Sequence, residues 1–192
     1  LIVFNRFGQS KFIRFYFETD VKTQQEIIQN TYLRVFEIPS CCCNIFDSTK
    51  ILPVGKPTKC VFKMYASLYF AVFIDNNESE LGTIDLIQVF VQTIDKCFAN
   101  ITECEFVEKF EQIYYILDEI IINGIVHETS PTEIYKNFVA QMEAARNVVL
   151  IHFIYIHTGI KDAAEDTMKK ISSINIKETI SKGIEKLAEK FL

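Results

Sequence analysis

Three consecutive cysteines, Cys41, Cys42 and Cys43, form the densest run of reactive side chains in the sequence. Zinc needs ligands spaced so that they converge tetrahedrally, and adjacent thiols with no Cys-x-x-Cys pair among six cysteines do not supply that spacing. Reduced cytosolic thiols are the reading this usage favours. The only histidines are His127, His152 and His157, and none has a neighbouring Ser or Cys in a nucleophile elbow or belongs to a His-Glu-x-x-His pair. Glu103 with Glu105, and Asp118 with Glu119, are the candidate paired carboxylates, but neighbouring acids on helices usually form a solvated face. The six glycines are scattered, so no phosphate-cradling loop is present. Neither catalysis nor any cofactor or metal is expected. Asn77-Glu78-Ser79 and Asn100-Ile101-Thr102 match the glycosylation sequon, yet no secretory segment precedes them, and both are read as chance.

The 192 residues suit one domain plus a tail. A formal charge of -5 and a pI near 5.3 argue against nucleic acid as a partner, because phosphate binding needs a basic surface. Hydrophobic residues make up 49% of the chain and mean hydropathy is +0.14, high for a small soluble domain, which fits either an apolar surface partly covered by another protein or a buried sheet rich in Phe. The sequence opens on Leu1-Ile2-Val3-Phe4, which looks like mid-strand.

These side chains must be carried by recognisable elements. Leu1 to Phe4 and Lys11 to Phe17, with Gly8 in the bend, predict an antiparallel hairpin. Asp20 opens a helix with Ile27, Ile28, Thr31, Tyr32, Val35 and Phe36 on its apolar face and Pro39 at its end. Asn44 to Asp47 is a weak strand, and Ser48 to Thr58 a long loop. Met64 to Ile74 is a near-continuous aromatic and β-branched run that reads as a central strand buried on both faces, with the remaining sheet set at Lys59 to Met64 and Leu68 to Ile74. Asp75 to Ser79 turn the chain into a helix whose apolar positions are Leu81, Ile84, Ile87, Phe90, Val91, Ile94 and Phe98.

Ile101 to Val107 predicts a short helical piece. Ile113, Ile116, Leu117, Ile120 and Ile121 mark another helix, which Asn123-Gly124 would stop with a left-handed glycine cap. Ser130-Pro131-Thr132-Glu133 is a helix start with the pattern of a capping box, and that helix is expected to run to about Arg146. Val148 to His157 is a ten-residue apolar run, well short of the ~20 residues that cross a bilayer. Beyond it Ile160, Ala164, Met168, Ile171, Ile180, Ile184, Leu187 and Phe191 predict an amphipathic helix interrupted near Ser172 to Asn175. Strands and one helix first, then helices only, define an α+β class with an antiparallel sheet.

The stretch YASLYFAVFIDNNESELGTIDLIQVFVQTIDKCF (65 to 98), followed by YILDEIIINGIVHET (115 to 129), resembles the small, sigma-type subunit of the heterotetrameric clathrin-adaptor-type vesicle-coat complexes. It is most similar to that of the third adaptor complex, through Ser79 to Gly82 and Asp85 to Val91, and the likeness runs from residue 1 to about 140. The resemblance implies a longin-like five-stranded antiparallel sheet flanked by helices over 1–146, with 147–192 as a C-terminal tail. The family core has no counterpart to the apolar run at 148–157, which is either a docking segment or an imperfect gene model.

Also implied are direct binding to a large delta-type subunit and assembly with a beta-type large subunit and a mu subunit. The protein would then act in vesicle transport between Golgi or endosomes and lysosome-like organelles. It would be cytoplasmic and peripheral on membranes through the complex. In this family a hydrophobic pocket takes the apolar pair of an acidic dileucine signal on cargo cytosolic tails. Carried over by position, the pocket falls on Tyr65, Ala66, Leu68, Val91, Asn100, Ile101, Cys104 and Phe106, and the basic residue that receives the acidic position falls on Lys11. The sequence departs from the family where Cys104 and Phe106 replace leucines, Glu108 replaces an apolar residue and Lys11 replaces an arginine. Lysine lacks the bidentate fork of arginine, and Phe106 has the bulk to fill the cavity. The alternative, a regulatory longin domain of a membrane-fusion protein of the SNARE type, predicts a long heptad helix that residues 160–192 are too short and broken to form.

Overall fold

The computed structural model describes residues 1–38, 44–52 and 55–158, with side chains through residue 146. The predicted amphipathic helix beyond residue 159, the triple cysteine and Pro39 lie outside the described residues. The chain divides into two units, Leu1–Phe138 and Val139–Leu192.

Two hairpins make the main sheet of the first unit. The first pairs β1 (Ile2–Asn5) with β2 (Ser10–Ile13), and the second pairs β4 (Thr58–Tyr65) with β5 (Leu68–Asp75). β1 lies against β5, and β3 (Ile45–Asp47) against β4, which gives the antiparallel order β2-β1-β5-β4-β3 with β5 at the centre. The α+β sheet expected from the sequence is therefore present. Gly8 closes the first hairpin at φ +78, and a Cβ there would also meet the Tyr32 ring at 3.2 Å, so only glycine fits without strain.

The run from Met64 to Ile74 is not one strand. Ala66 and Ser67 form a two-residue turn with Ala66 at φ 51, so Met64 and Tyr65 end β4 while Leu68 begins β5. The second strand of the first hairpin also stops early, at Ile13. The Arg14 backbone still exchanges hydrogen bonds with Leu1, while its side chain pairs with Asp118 at 2.9 Å, and the Tyr114 hydroxyl donates to the Ile13 carbonyl.

The pleat sorts side chains to two covered faces. Ile2 and Phe4 pair with Ala71 and Tyr69 on the face of α1 (Val21–Glu37), where Ile27, Val35, Cys60 and Phe62 complete a buried cluster. Asp20 caps α1 by accepting the Thr23 N–H, and Ile38, the residue before Pro39, is extended at ψ 122, as a following proline ring requires. Val3, Asn5, Leu68 and Phe70 point the other way, toward α2 (Glu80–Phe98), α3 (Glu103–Glu108) and α4 (Phe110–Ile120). The register pairs Val3 with Phe70 and Asn5 with Leu68 on this face.

α2 buries Thr83, Ile87, Phe90, Thr93 and Ile94, and each of the two threonines donates its hydroxyl to the carbonyl four residues back. Leu81, expected on the apolar stripe, is 74% exposed, while its neighbour Glu80 pairs with Lys59 of β4 at 2.5 Å. Both sequon hydroxyls serve as helix caps, Ser79 accepting from Gly82 N–H and Thr102 from Glu105 N–H. Asn123-Gly124 does not end α4. The helix stops at Ile120, and the two residues, at φ 55 and 86, make a type I′ turn between β6 (Ile121–Ile122) and β7 (Ile125–Val126). The last helix, α5 (Pro131–Thr158), runs twelve residues beyond Arg146, and Val148 to His157 is helical. No proline or glycine interrupts the sequence after Pro131 until Gly159.

Candidate functional site

The nine positions singled out in the sequence fall on four pieces of backbone. Tyr65 ends β4, Ala66 is the first residue of the β4–β5 turn and Leu68 opens β5. Val91 lies midway along α2, and Asn100 and Ile101 form the α2–α3 connection. Cys104 and Phe106 belong to α3, and Lys11 to β2. Two of them are backbone-determined: Ala66 (φ 51) and Asn100 (φ 63) hold left-handed conformations that non-glycine residues adopt at a cost of ~1–2 kcal/mol.

The floor of this region is a cluster of phenylalanine rings. Phe106, 2% exposed, stands edge-on to Phe70 and to Phe12, both at 6.3 Å, while Phe90 reaches Phe70 and Phe12 at 6.2 Å. Phe106 is therefore core, not an open pocket wall. Leu68 is buried as well, at 8% exposure. Val91 and Ile101 are half-buried, whereas Ala66, Asn100 and Cys104 are exposed. Tyr65 stacks edge-on against Phe70 at 6.0 Å, and the Lys63 ammonium lies 5.2 Å from the Tyr65 ring centroid. The Tyr65 hydroxyl is buried with no hydrogen-bond partner among the described residues, an arrangement that costs about 1–3 kcal/mol unless something else supplies a partner.

The rim is polar and closely wired. Lys11 Nζ lies 3.0 Å from Glu103 Oε1 and 3.4 Å from Gln9 Oε1. Glu103 also accepts from Asn5 Nδ2 at 2.8 Å and from Ser67 Oγ at 3.4 Å. Asn5 in turn bonds Gln9 and accepts the backbone N–H groups of Phe7 and Gln9. One carboxylate thus ties the first hairpin, the β4–β5 turn and α3 together beside Ala66 and Cys104. The hydrogen bond from Lys11 is the main cause that holds the Glu103 carboxyl below its ordinary range, with Asn5 next.

Asn5, Ser67 and Glu103 are the residues that sequence reasoning missed. Glu103 reads in the sequence as half of a solvated pair with Glu105, but the two carboxylates serve different partners. Glu105 closes a capping box with Thr102, accepting its N–H at 2.9 Å. Asp118 and Glu119 also diverge, to Arg14 and to Asn137 at 2.9 Å each. Neither pair has the shared geometry that acid–base chemistry needs. Among the described residues no group of three or more His, Cys, Asp and Glu is placed to hold a metal ion. Burial pushes the Cys97 thiol up to about 11 and Cys60 higher still, so neither is an activated nucleophile. No helix among the described residues is long and apolar enough to cross a membrane.

The sheet order and the α2–α4 layer match the longin-like fold of an adaptor small subunit. The family model described as "Clathrin adaptor complex small chain" matches residues 1–146, and the chain belongs to that family, whose members are non-enzymatic components of vesicle trafficking. Among its relatives, the human AP-3 complex subunit sigma-2 is 34% identical over 178 residues, covering 93% of this chain and 87% of the relative. The AP-3 complex subunit sigma of Dictyostelium discoideum is 37% identical over 153 residues, covering 78% and 90%, and that of Schizosaccharomyces pombe 40% over 134 residues, covering 70% and 79%. A chain of a homology model of the full-length AP-3 complex in a stretched open conformation superposes with TM-score 0.58 at 26% identity, covering 77% of this chain and 94% of that one. The family model ends at residue 146, before the apolar run at 148–157, while the human match extends over 93% of the chain.

Proposed function

We propose that this chain is the sigma subunit of an AP-3-type adaptor complex. It binds a large delta-type subunit directly and assembles with a beta-type large subunit and a mu subunit. Residues 1–146 are the assembly domain and 147–192 a tail. Exposed apolar side chains support the assembly: Phe7, Leu33, Ile122, Ile125 and Val126 are all at least half exposed, which suits a surface that a larger chain covers. The complex sorts cargo between Golgi or endosomes and lysosome-like organelles, peripheral on the membrane.

The chain further contributes to recognition of dileucine signals at the β4–β5 turn. The single observation that carries this reading is the convergence, beside that turn, of a buried Leu68, a half-exposed Tyr65 with an unpartnered hydroxyl and a basic residue, Lys11. Full burial of a leucine side chain contributes roughly 1.5–3 kcal/mol, and partial burial on this surface contributes less, consistent with weak, reversible capture. With Phe106 filling the floor, the peptide lies on Tyr65, Ala66 and Ile101, not in a deep cavity.

Ala66→Asp tests the reading without breaking the fold. Ala66 is exposed, and aspartate tolerates its left-handed backbone better than most residues. The chain co-expressed with a large-subunit trunk is expected to lose dileucine-peptide binding by at least tenfold while it still co-purifies with the trunk. Unchanged peptide affinity in that variant would remove the β4–β5 turn from the site.

A further inference from the structure

The main sheet has two edges, and among the described residues only one of them is covered. At β2 the outward Ile13 carbonyl accepts the Tyr114 hydroxyl, and α3 packs alongside. β3 forms the other edge, at the end of the β4–β5 hairpin away from its turn. The Asn44 carbonyl accepts the Phe62 N–H at 2.8 Å, and the Ser48 N–H donates to the Thr58 carbonyl at 2.9 Å. Antiparallel alternation therefore turns the N–H and C=O groups of Ile45 and Asp47 away from β4, and no described residue takes them up. Such a row of open backbone groups is a template for one more strand. Phe46 belongs to the cluster under α1, so Ile45 and Asp47 point to the α2 face, where they line an open groove of about 320 Å³ with Lys59, Asn76 and Glu80. Charge in this groove does not balance. Lys59, opposite Asp47 in the register, gives its ammonium to Glu80 at 2.5 Å. Asp47 accepts the Thr49 N–H at 2.8 Å, and Lys50 acts on it through space without forming an ion pair. Two carboxylates thus face one ammonium.

We propose that β3 takes an extended segment of another protein as a sixth strand, and that the groove beside it selects a basic residue two positions before a β-branched one. In antiparallel register the basic residue lies opposite Asp47, and the β-branched residue lies opposite Ile45, on the same face of the sheet. Both exchange N–H and C=O with the outward groups of β3. The residue between them turns toward the α1 side, as Phe46 does. At three residues β3 limits the pairing to a short ladder, which suits reversible capture. This surface lies away from the β4–β5 turn and owes nothing to peptide binding there.

The probe is a labelled peptide, acetyl-Thr-Lys-Thr-Val-Thr, titrated by fluorescence anisotropy into the chain co-purified with its large-subunit trunk. One comparison peptide carries Glu in place of Lys, and another carries N-methyl groups on the Lys and Val amides, which removes the donors to β3 and keeps the side chains. The parent peptide is expected to bind at least fivefold more tightly than either and to slow amide hydrogen exchange at Ile45 and Asp47. Ile45→Pro deletes an outward N–H that the fold does not use, and it should weaken the parent peptide at least fivefold. Asp47→Asn, which keeps a side-chain oxygen for Thr49, should reduce the Lys-to-Glu preference to below twofold and leave the N-methyl effect in place. No saturable binding of the parent peptide, equal binding of the N-methylated one, or a Lys-to-Glu preference unchanged in Asp47→Asn would overturn the proposal. So would a folded Ile45→Pro complex that binds like wild type. Should Ile45→Pro fail to co-purify with the trunk, the N-methylated peptide decides the same point on the wild-type protein. Self-association of the complex that Ile45→Pro abolishes would assign the edge to a second copy of this chain and likewise overturn it.

Discussion

Phe106→Ala is the perturbation whose cost follows most directly from the packing. The ring is 2% exposed and edge-on to two partners, Phe12 and Phe70, each 6.3 Å away. A buried phenylalanine removes about 150–250 Å² from water, worth roughly 4–6 kcal/mol at ~25 cal/mol per Å². Alanine retains its Cβ contacts, while the vacated space adds a cavity term, so the expected loss is about 4 kcal/mol, within the range of about 3–5 seen for such truncations. Phe106→Leu keeps most of the volume, so it should cost only about 1 kcal/mol. Urea unfolding of the full chain, followed by far-UV circular dichroism, separates the two cases. With a slope of about 2 kcal/mol/M, the midpoint should fall by roughly 2 M for alanine and about 0.5 M for leucine. A fall for alanine no larger than that for leucine would mean that the ring sits in a yielding wall and that the closed floor argued above is wrong.

Two further outcomes test other parts of the fold. Gly8→Ala must force a side chain into the left-handed turn and against the Tyr32 ring, which should lower the melting temperature by roughly 3–6 °C for about 1–2 kcal/mol. Asp20→Ala removes the α1 cap. The Asp20 carboxyl is held below its ordinary value of 3.8, first by the Thr23 hydroxyl and then by the Thr23 N–H. A depressed carboxylate contributes stability above its unfolded pKa and loses it as pH falls through the folded value. The variant should therefore be less stable at pH 7, and the gap should narrow below pH 3.8 and close in stronger acid, as read from melts across that range.

Much of the architecture was legible in residue spacing. The apolar recurrence from Ile84 to Ile94 locates α2, Asp20 and Ser79 mark helix starts by their short oxygen-bearing side chains, and Gly8 marks the first turn. The β4–β5 turn was harder to see, because Ala66-Ser67 carries none of the usual turn chemistry and sits inside an aromatic run; the strand pairing on both sides overrides the local preference of Ala66. Asn123-Gly124 carried the opposite lesson. The dipeptide is a strong hairpin signal, but the helical spacing from Ile113 to Ile120 invites reading it as a cap, and only the pairing of Ile121 with Val126 decides between them. The rim escaped sequence reasoning for a different reason. Lys11, Ser67 and Glu103 are far apart along the chain, and no local pattern announces an ion pair made by bringing a hairpin, a turn and a helix start together.

The phenylalanine cluster shapes how such a subunit can diversify. Phe12, Phe70, Phe90 and Phe106 each come from a different element, so a change at any one ring is felt by the sheet and two helices at once. Interior remodelling is thereby penalised through the whole scaffold, while exchanges at exposed positions such as Cys104 disturb little besides the surface. New ligand preferences should accordingly emerge by editing the perimeter and leaving the aromatic keystone untouched.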